Sequence, residues 1–113
     1  KFVLNCLDIS IGGEIFVPKI PSYKITDVVK AINPKSKIKV IGIRQGEKIH
    51  EDLITSNDSR NTINLNNMYV ILPNNLHKFF KKGKLVRENF SYNSGTNDKF
   101  LSVAQLRKLI KSI

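Results

Sequence analysis

Residues 12–22 read GGEIFVPKIPS, a glycine pair followed by a short apolar run and then by two prolines. The glycine pair is typical of the end of a helix, and the run Glu14–Val17 predicts a short strand. Pro18 and Pro21 lack an N–H and fix an extended path, so they predict that regular strand pairing stops there. We therefore expect the amides and carbonyls after this strand to be free for a ligand.

The neighbouring residues predict two helices and a second strand. Apolar residues four positions apart predict a helix from Lys1 to about Ser10. A short helix, Asp27–Ile32, follows Thr26, whose hydroxyl is a suitable N-cap. The β-branched stretch Lys37–Ile43 predicts a strand that leads directly to Arg44.

The middle of the chain predicts a hairpin. Lys48–Thr55 fits both a helical turn and an extended segment, and we favour a short helix followed by a strand. Thr62–Leu65 and Met68–Leu72 predict two strands. Asn66-Asn67 between them predicts a two-residue turn, because asparagine tolerates positive φ.

The last helix has the clearest local pattern. Ser102 and Gln105 form a capping box that predicts its start. Apolar residues at helical spacing predict its buried face: Val103, Leu106, Leu109, Ile110 and Ile113. Taken together, the elements predict a mixed α/β fold class, α+β for this chain in isolation, with short strands and a few helices in one unit over residues 1–113.

The chain is strongly basic, with a formal net charge of +10. Clustered positive charge is typical of nucleic-acid binding, and the densest basic run is KFFKKGK at 78–84. Lysine supplies 15 of the 19 basic residues, however, and arginine reads bases and phosphates better. We expect no nucleic-acid partner, while a free-standing basic module that binds RNA or an anionic surface stays open as the alternative. No run approaches the roughly 20 apolar residues of a membrane span, so no membrane contact is predicted.

The chain carries no residues that would perform a reaction. Cys6 is the one cysteine and is expected to be a buried, inert thiol. His50 lies among carboxylates, and His77 is isolated in a polar stretch, but neither has a second histidine or a cysteine at metal-ligand spacing. No glycine-rich nucleotide cradle is present. We predict no catalytic, cofactor-binding or metal-binding residue in this chain.

The segment Arg44-Gln45-Gly46-Glu47 is the best candidate for a binding site. A guanidinium holds a diphosphate by bidentate, charge-assisted hydrogen bonds, and a carboxylate accepts hydrogen bonds from both ribose hydroxyls. Gly46 allows the tight backbone turn between them. The alternative is an ordinary Arg–Glu pair on the surface.

Three segments resemble the inverting UDP-N-acetylglucosamine 4,6-dehydratases, which are extended short-chain dehydrogenase/reductases of polysaccharide biosynthesis. GGEIFVPKIPSYKITDV, starting at Gly12, is similar to a segment of their C-terminal half. GIRQGEKIHEDLI at Gly42–Ile54 is similar to their GIRPGEKLHE segment. YNSGTND at 92–98, followed by FLS at 100–102, is similar to the tail before their last helix. The resemblance identifies residues 1–113 as a C-terminal UDP-sugar-binding subdomain.

The resemblance implies roles for five residues. Arg44 would contact the diphosphate of UDP-N-acetylglucosamine, and Glu47 would contact the ribose. The strand residues Ile15, Phe16 and Val17 would lie along the uracil. Gln45 replaces the proline of the family motif, which leaves its φ less restricted.

The resemblance also implies a larger enzyme. NADP and every catalytic residue would belong to an N-terminal Rossmann domain absent from this chain, so the chain alone would be inactive. The full-length enzyme would be a cytoplasmic homo-oligomer that makes UDP-2-acetamido-2,6-dideoxy-4-keto-hexose for surface glycans such as pseudaminic acid. Because a helix is already under way at Lys1, we expect a piece of a longer protein. A subunit that complements a separately encoded Rossmann partner is the remaining alternative.

Overall fold

The computed structural model describes residues 1–73, 80 and 83–112. Two compact units divide the chain, Lys1–Lys19 with Asp52–Asn93 and Ile20–Glu51 with Ser94–Ile113. The helices are α1 (Phe2–Ile9), α2 (Ile25–Ile32) and α3 (Val103–Ile110), with a 3₁₀ helix at Ser56–Asn61. The strands are β1 (Ile15–Pro18), β2 (Asp52–Ile54), β3 (Thr62–Asn64), β4 (Met68–Ile71), β5 (Lys84–Leu85) and β6 (Tyr92–Asn93). The mixed helix and strand class is confirmed; the assignment of residues 1–113 to one subdomain stays a prediction.

The first unit is built on an antiparallel sheet with the strand order β1-β4-β3-β5. β4 lies inside this sheet, and its residues alternate between the two faces. Met68 and Val70 belong to a cluster that includes Cys6 of α1. Tyr69 and Ile71 pack against a second cluster, which consists of Val17, Ile54 and Tyr92. Both faces of the sheet are therefore covered by apolar side chains.

Helix α1 forms where the sequence predicts it. Its buried residue is Cys6, and Phe2 and Ile9 pack against the same cluster. Val3 and Leu7 lie on another side and are 66% and 68% exposed. The apolar pair Phe2 and Cys6 therefore contributes to the core of this unit, whereas the pair Val3 and Leu7 does not.

Glu14 closes the loop between α1 and β1. Its carboxylate accepts hydrogen bonds from the backbone N–H of Ile11 at 2.5 Å and of Gly12 at 2.9 Å, and from the Ser10 hydroxyl at 2.9 Å. Gly12 and Gly13 have φ of 111° and 83°. Only glycine adopts such values at no steric cost, so the glycine pair serves the loop after the helix, which ends at Ile9.

These hydrogen bonds make the stability of the loop depend on pH. Desolvation by burial acts to raise the pKa of Glu14, but the hydrogen bonds outweigh it and hold the pKa below its ordinary value of 4.5. The contribution of Glu14 is therefore complete above about pH 4.5 and is lost as the pH falls through the lowered pKa. We expect Glu14→Gln to reduce the loss of stability between pH 7 and about pH 3. Urea midpoints of both proteins at the two pH values measure this, and equal losses would contradict it.

The hairpin predicted around Asn66-Asn67 is confirmed, but the reason given for it is wrong. The N–H of Leu65 donates to the carbonyl of Met68 at 2.9 Å and closes a two-residue loop. Neither asparagine has positive φ; among the described residues, Asn89 is the non-glycine residue that does. The turn therefore does not use the left-handed conformation that asparagine tolerates.

Contacts from Lys19 support this turn. Its ammonium donates to Asn64 Oδ1 and to the Leu65 carbonyl, both at 2.6 Å, and to the Asn66 carbonyl at 3.3 Å. It also lies 4.7 Å from the centre of the Tyr69 ring. Charge-assisted hydrogen bonds of this kind are stronger than neutral ones, so a residue remote in sequence stabilises the hairpin.

The segment before the hairpin departs from the favoured prediction. The predicted short helix does not form in residues 48–51. The strand predicted to follow it is confirmed at Asp52–Ile54. The 3₁₀ helix follows at once, with a capping box between Thr55 and Asp58. Ile54 is fully buried in the second cluster, so tertiary packing decides between the two periodicities.

In the second unit, α2 and α3 pack against each other. The capping box of α3 is confirmed, since the Gln105 N–H donates to Ser102 Oγ at 3.3 Å and the Ser102 N–H donates to Gln105 Oε1 at 2.8 Å. Leu106 is the buried residue of α3. Leu109 and Ile110 are 52% and 41% exposed, so the buried face is narrower than predicted, and Ile113 lies outside the described residues.

The predicted N-cap of α2 is wrong. The helix begins at Ile25 with Lys24 at the N-cap, which places Thr26 inside it, and no side chain caps the start. At the C-terminal end of α2, two backbone carbonyls have a side-chain partner. The Arg107 guanidinium donates to the carbonyls of Ala31 at 3.4 Å and Lys30 at 3.2 Å, where a cation also interacts favourably with the helix dipole.

The predicted strand Lys37–Ile43 does not form. These residues have no strand assignment and are all exposed, with Val40 at 88% and Ile41 at 73%. A strand needs a partner for its backbone groups, and the described residues place none beside this segment.

The basic run at 78–84 belongs only in part to the residues that the structure describes. In the basic run at 78–84, residues 78, 79, 81 and 82 lie outside the description, as does His77; Phe80 is buried in the first cluster. Within the described ranges, no helix is long and apolar enough to cross a membrane.

Candidate functional site

Two hydrogen bonds close a tight turn at residues 44–47, one between backbone groups and one between the backbone and a side chain. The Glu47 N–H donates to the Arg44 carbonyl at 3.1 Å, and the Arg44 N–H donates to Glu47 Oε2 at 2.9 Å. Gly46 has φ of 85°, whereas Gln45 does not have positive φ. This pattern fits a type II turn, which needs positive φ at its third residue. The carboxylate of Glu47 and the backbone of Arg44 are thereby fixed together.

The two side chains of this turn remain largely open to solvent. Arg44 is 77% exposed and Glu47 is 51% exposed, with 3.9 Å between Arg44 Nε and Glu47 Oε1. An exposed pair at this distance contributes little to stability. The guanidinium is therefore not needed to hold the fold, and it is available for a phosphate.

A groove of about 570 Å³ adjoins the turn within the second unit. Its lining residues are Ile43, Gly46, Glu47, Lys48 and Glu51. A groove with this lining suits the hydroxyl groups of a sugar, because carboxylates accept hydrogen bonds from hydroxyls.

The turn gives a direct test of the replacement of proline by Gln45. Proline is favoured at the second position of a type II turn because its φ is already set there. We expect Gln45→Pro to raise the free energy of unfolding by about 0.4–1 kcal/mol, through a lower entropy of the unfolded chain. Thermal unfolding measures this. A lower midpoint would mean that the turn has another conformation.

The strand residues predicted to meet the uracil differ in what they expose. Ile15 is 60% exposed, and Phe16 is half-buried against the first cluster. Val17 is 6% exposed in the second cluster. The Val17 side chain is therefore committed to the core, because β1 alternates its residues between the faces of the sheet.

The pairing of β1 shows which of its backbone groups face outward. β1 is an edge strand, and the Lys19 N–H donates to the Asn67 carbonyl at 3.2 Å. Hydrogen-bonded pairs alternate in an antiparallel ladder, so Val17 faces β4 while Phe16 and Pro18 present their backbone groups to the open edge. Pro18 is tolerated inside β1 for this reason, one residue beyond the predicted end of the strand.

The segment after β1 is less free than predicted. In the second unit, the Ser22 N–H donates to the Lys99 carbonyl, and the Leu101 N–H donates to the Ser22 carbonyl, both at 2.8 Å. The Ile20 carbonyl accepts from Asn97 Nδ2 at 2.7 Å. The expectation of free backbone groups after this strand is therefore wrong at Ile20 and Ser22, because the tail of the chain pairs with them.

Sequence reasoning gave no structural role to Asn97. This side chain is buried, donates to the Ile20 carbonyl and to Ser22 Oγ at 3.1 Å, and accepts from the Lys99 N–H at 3.1 Å. It belongs to the tail segment YNSGTND, so its place in that motif was the available signal.

Arg44 and Glu47 are brought together in the second unit, whereas Ile15, Phe16 and Val17 belong to the first.

Comparison with known proteins gives consistent matches along the chain. A family model described as "Polysaccharide biosynthesis protein" matches residues 1–73. The chain is 42% and 41% identical to proteins from two strains of Campylobacter jejuni, each named "UDP-N-acetylglucosamine 4,6-dehydratase (inverting)", over 97% of this chain and 36% of each relative. It thus spans about a third of their length.

A solved structure matches the fold. The X-ray structure of Pen from Bacillus thuringiensis has a TM-score of 0.75 and 29% sequence identity, over 96% of this chain and 34% of that one. The family model covers more than half of the present chain. The chain therefore belongs to the polysaccharide biosynthesis protein family.

Proposed function

We propose that this chain is the C-terminal, nucleotide-sugar-binding part of an inverting UDP-N-acetylglucosamine 4,6-dehydratase. The turn at Arg44–Glu47 carries the proposal. It offers an exposed guanidinium and a carboxylate on a fixed backbone, in a chain 41–42% identical to relatives with that name. Both groups suit the polar half of a UDP-sugar.

Arg44 binds the diphosphate in this proposal. Its side chain is 77% exposed, and its contact with Glu47 is a long 3.9 Å. Replacing that contact with a bidentate phosphate contact sacrifices little, since exposed ion pairs are weak. The planar guanidinium then provides two parallel, charge-assisted hydrogen bonds.

Glu47 binds the ribose while it continues to hold the turn. Its Oε2 accepts from the Arg44 N–H at 2.9 Å, and its Oε1 makes only the long contact with Arg44 Nε among the distances above. Each carboxylate oxygen has two acceptor sites. A ribose hydroxyl can therefore donate to Oε1 without disturbing the turn.

β1 contributes to the uracil site through its backbone. Phe16 presents one N–H and one carbonyl at the open edge of β1, as the pairing with β4 requires. Uracil offers a matching donor and acceptor along its edge. Ile15 supplies an exposed apolar side chain, whereas Val17 contributes by fixing the strand in the core.

The oxidation chemistry belongs to the rest of the enzyme. Gly12-Gly13 follows helix α1 and precedes strand β1, which is the reverse of the strand-glycine-helix order of a dinucleotide cradle. This glycine pair therefore does not form such a cradle, and we assign NADP to a separate Rossmann domain together with the catalytic residues. This chain alone is expected to be inactive.

In the cell, we place the complete enzyme in the cytoplasm as a homo-oligomer. Its product would be UDP-2-acetamido-2,6-dideoxy-4-keto-hexose, which serves surface glycans such as pseudaminic acid. The family model described as "Polysaccharide biosynthesis protein" and the relatives named for this dehydratase support the glycan and dehydratase parts of the assignment.

Turnover of UDP-N-acetylglucosamine tests the proposal. The longer protein that contains this chain is expected to convert the substrate, with NADP, to a product lighter by one water, detected by mass spectrometry. The 113-residue chain at equal concentration is expected to give none. Absence of turnover by the longer protein would contradict the function, and turnover by the chain alone would contradict the assignment of the chemistry.

A further inference from the structure

His50 and Glu51 lie just after the Arg44–Glu47 turn and contact the tail segment of the second unit. The Glu51 N–H donates to Ser94 Oγ at 3.0 Å, and the Ser94 N–H donates to the Glu51 carbonyl at 3.0 Å. These two hydrogen bonds join segments 43 residues apart in sequence. They anchor the chain four residues beyond Glu47.

The ring of His50 lies directly against Gly95. A Cβ atom at position 95 would come within 2.6–2.8 Å of three ring atoms of His50. Gly95 does not have positive φ, so its backbone conformation does not demand glycine. The space beside the His50 ring does, because atoms at these distances clash.

The tail segment that receives this ring is itself fixed. Asn97, two residues beyond Gly95, is buried and holds the Ile20 carbonyl and Ser22 Oγ. The Ser22–Lys99 and Leu101–Ser22 hydrogen bonds add to this attachment. His50 therefore packs against a part of the second unit that is held by several side-chain and backbone contacts.

We propose that His50 is a positioning residue for the Arg44–Glu47 turn, and that Gly95 is the surface on which its ring rests. This inference rests on the proposed function. The ring fixes the end of the turn and so orients the guanidinium and the carboxylate toward a nucleoside diphosphate. Pre-ordering of this kind lowers the cost of ordering the loop when the ligand binds.

The geometry assigns this role to the shape of the ring. His50 Nδ1 is 3.5 Å from Ser94 Oγ, at the long limit for a hydrogen bond. An aromatic ring without nitrogen should therefore preserve the packing, whereas a small side chain should not.

Three variants and a fourth as control test the proposal in the longer protein. His50→Ala removes the ring, and Gly95→Ala displaces it, because an exposed side chain can move away from the new Cβ. Each is expected to weaken UDP binding by about tenfold, because the loop must then be ordered when the ligand binds, with a higher KM and little change in kcat. The double variant is expected to be no weaker than either single variant. His50→Phe is expected to bind UDP within about twofold of the parent.

Calorimetry with UDP and amide hydrogen exchange over residues 42–49 provide the readouts. Faster exchange there in His50→Ala and Gly95→Ala, with equal and non-additive losses of affinity, would support the proposal. Additive losses, or an unchanged affinity for His50→Ala while Arg44→Ala weakens binding, would overturn it and leave the proposed function intact. Loss of binding in His50→Phe would also overturn it. An unchanged affinity in Arg44→Ala would instead refute the proposed function.

Discussion

Arg44→Ala in the longer protein is expected to weaken UDP binding by about 1.5–3 kcal/mol, which is a loss of roughly 10–150-fold in affinity. The guanidinium is 77% exposed and forms one long contact with Glu47, so its removal should cost little stability. The effect should therefore appear in binding and not in the unfolding midpoint. Calorimetric titration with UDP, beside thermal unfolding, separates the two.

A matched control exists in the first unit. Arg60 and Glu88 form another exposed pair, with Arg60 Nη2 and Glu88 Oε1 also 3.9 Å apart. Arg60→Ala removes the same charge from a surface outside the proposed site, so UDP affinity should be unchanged. Equal losses for the two variants would mean that UDP responds to the net positive charge of the chain alone.

Ile54→Ala is expected to have the largest effect on stability, lowering the free energy of unfolding by about 2–5 kcal/mol. Ile54 is fully buried and packs in the second cluster with Val17 and Tyr92. Truncation removes buried methyl and methylene groups and leaves a cavity beside Val17 and Tyr92. Urea denaturation of the two proteins measures the difference.

The neighbouring residue of the same strand is the control. Leu53 is 43% exposed, so Leu53→Ala should change the free energy of unfolding by well under half of the Ile54 effect. The two substitutions alter the same backbone segment and differ in burial. Comparable losses would mean that β2 does not present Ile54 to the core.

Local sequence patterns predicted the elements that depend on local interactions. The capping box of Ser102 and Gln105 starts α3 as expected, because both partners lie within one helical turn. Helix α1 and the hairpin at Asn66-Asn67 also form where predicted. In each case, the residues that decide the structure are close in sequence.

The errors arose where distant residues decide the structure. Lys19 supports the hairpin from 45 residues away, and no local pattern shows this. The pairing of the tail with Ser22 occupies backbone groups that the prolines had suggested were free. Lys37–Ile43 has the composition of a strand but no partner among the described residues, so composition alone was insufficient.

The same distinction between local and distant contacts applies to the candidate site. The turn around Gly46 was predictable because its geometry depends on residues 44–47. The buried state of Val17 was not, because it depends on strands that follow much later in the chain. The packing of His50 on Gly95 likewise joins residues 45 positions apart. From the sequence alone, one sees only that both residues lie in segments that resemble the family.

A structure of the longer protein bound to UDP-N-acetylglucosamine tests the proposed binding role most directly. We expect the Arg44 guanidinium within hydrogen-bonding distance of the diphosphate and a Glu47 oxygen within hydrogen-bonding distance of a ribose hydroxyl, with the Gly46 turn unchanged. A diphosphate held entirely by other residues, with Arg44 still directed into solvent, would contradict the assignment of this chain as the nucleotide-sugar-binding part.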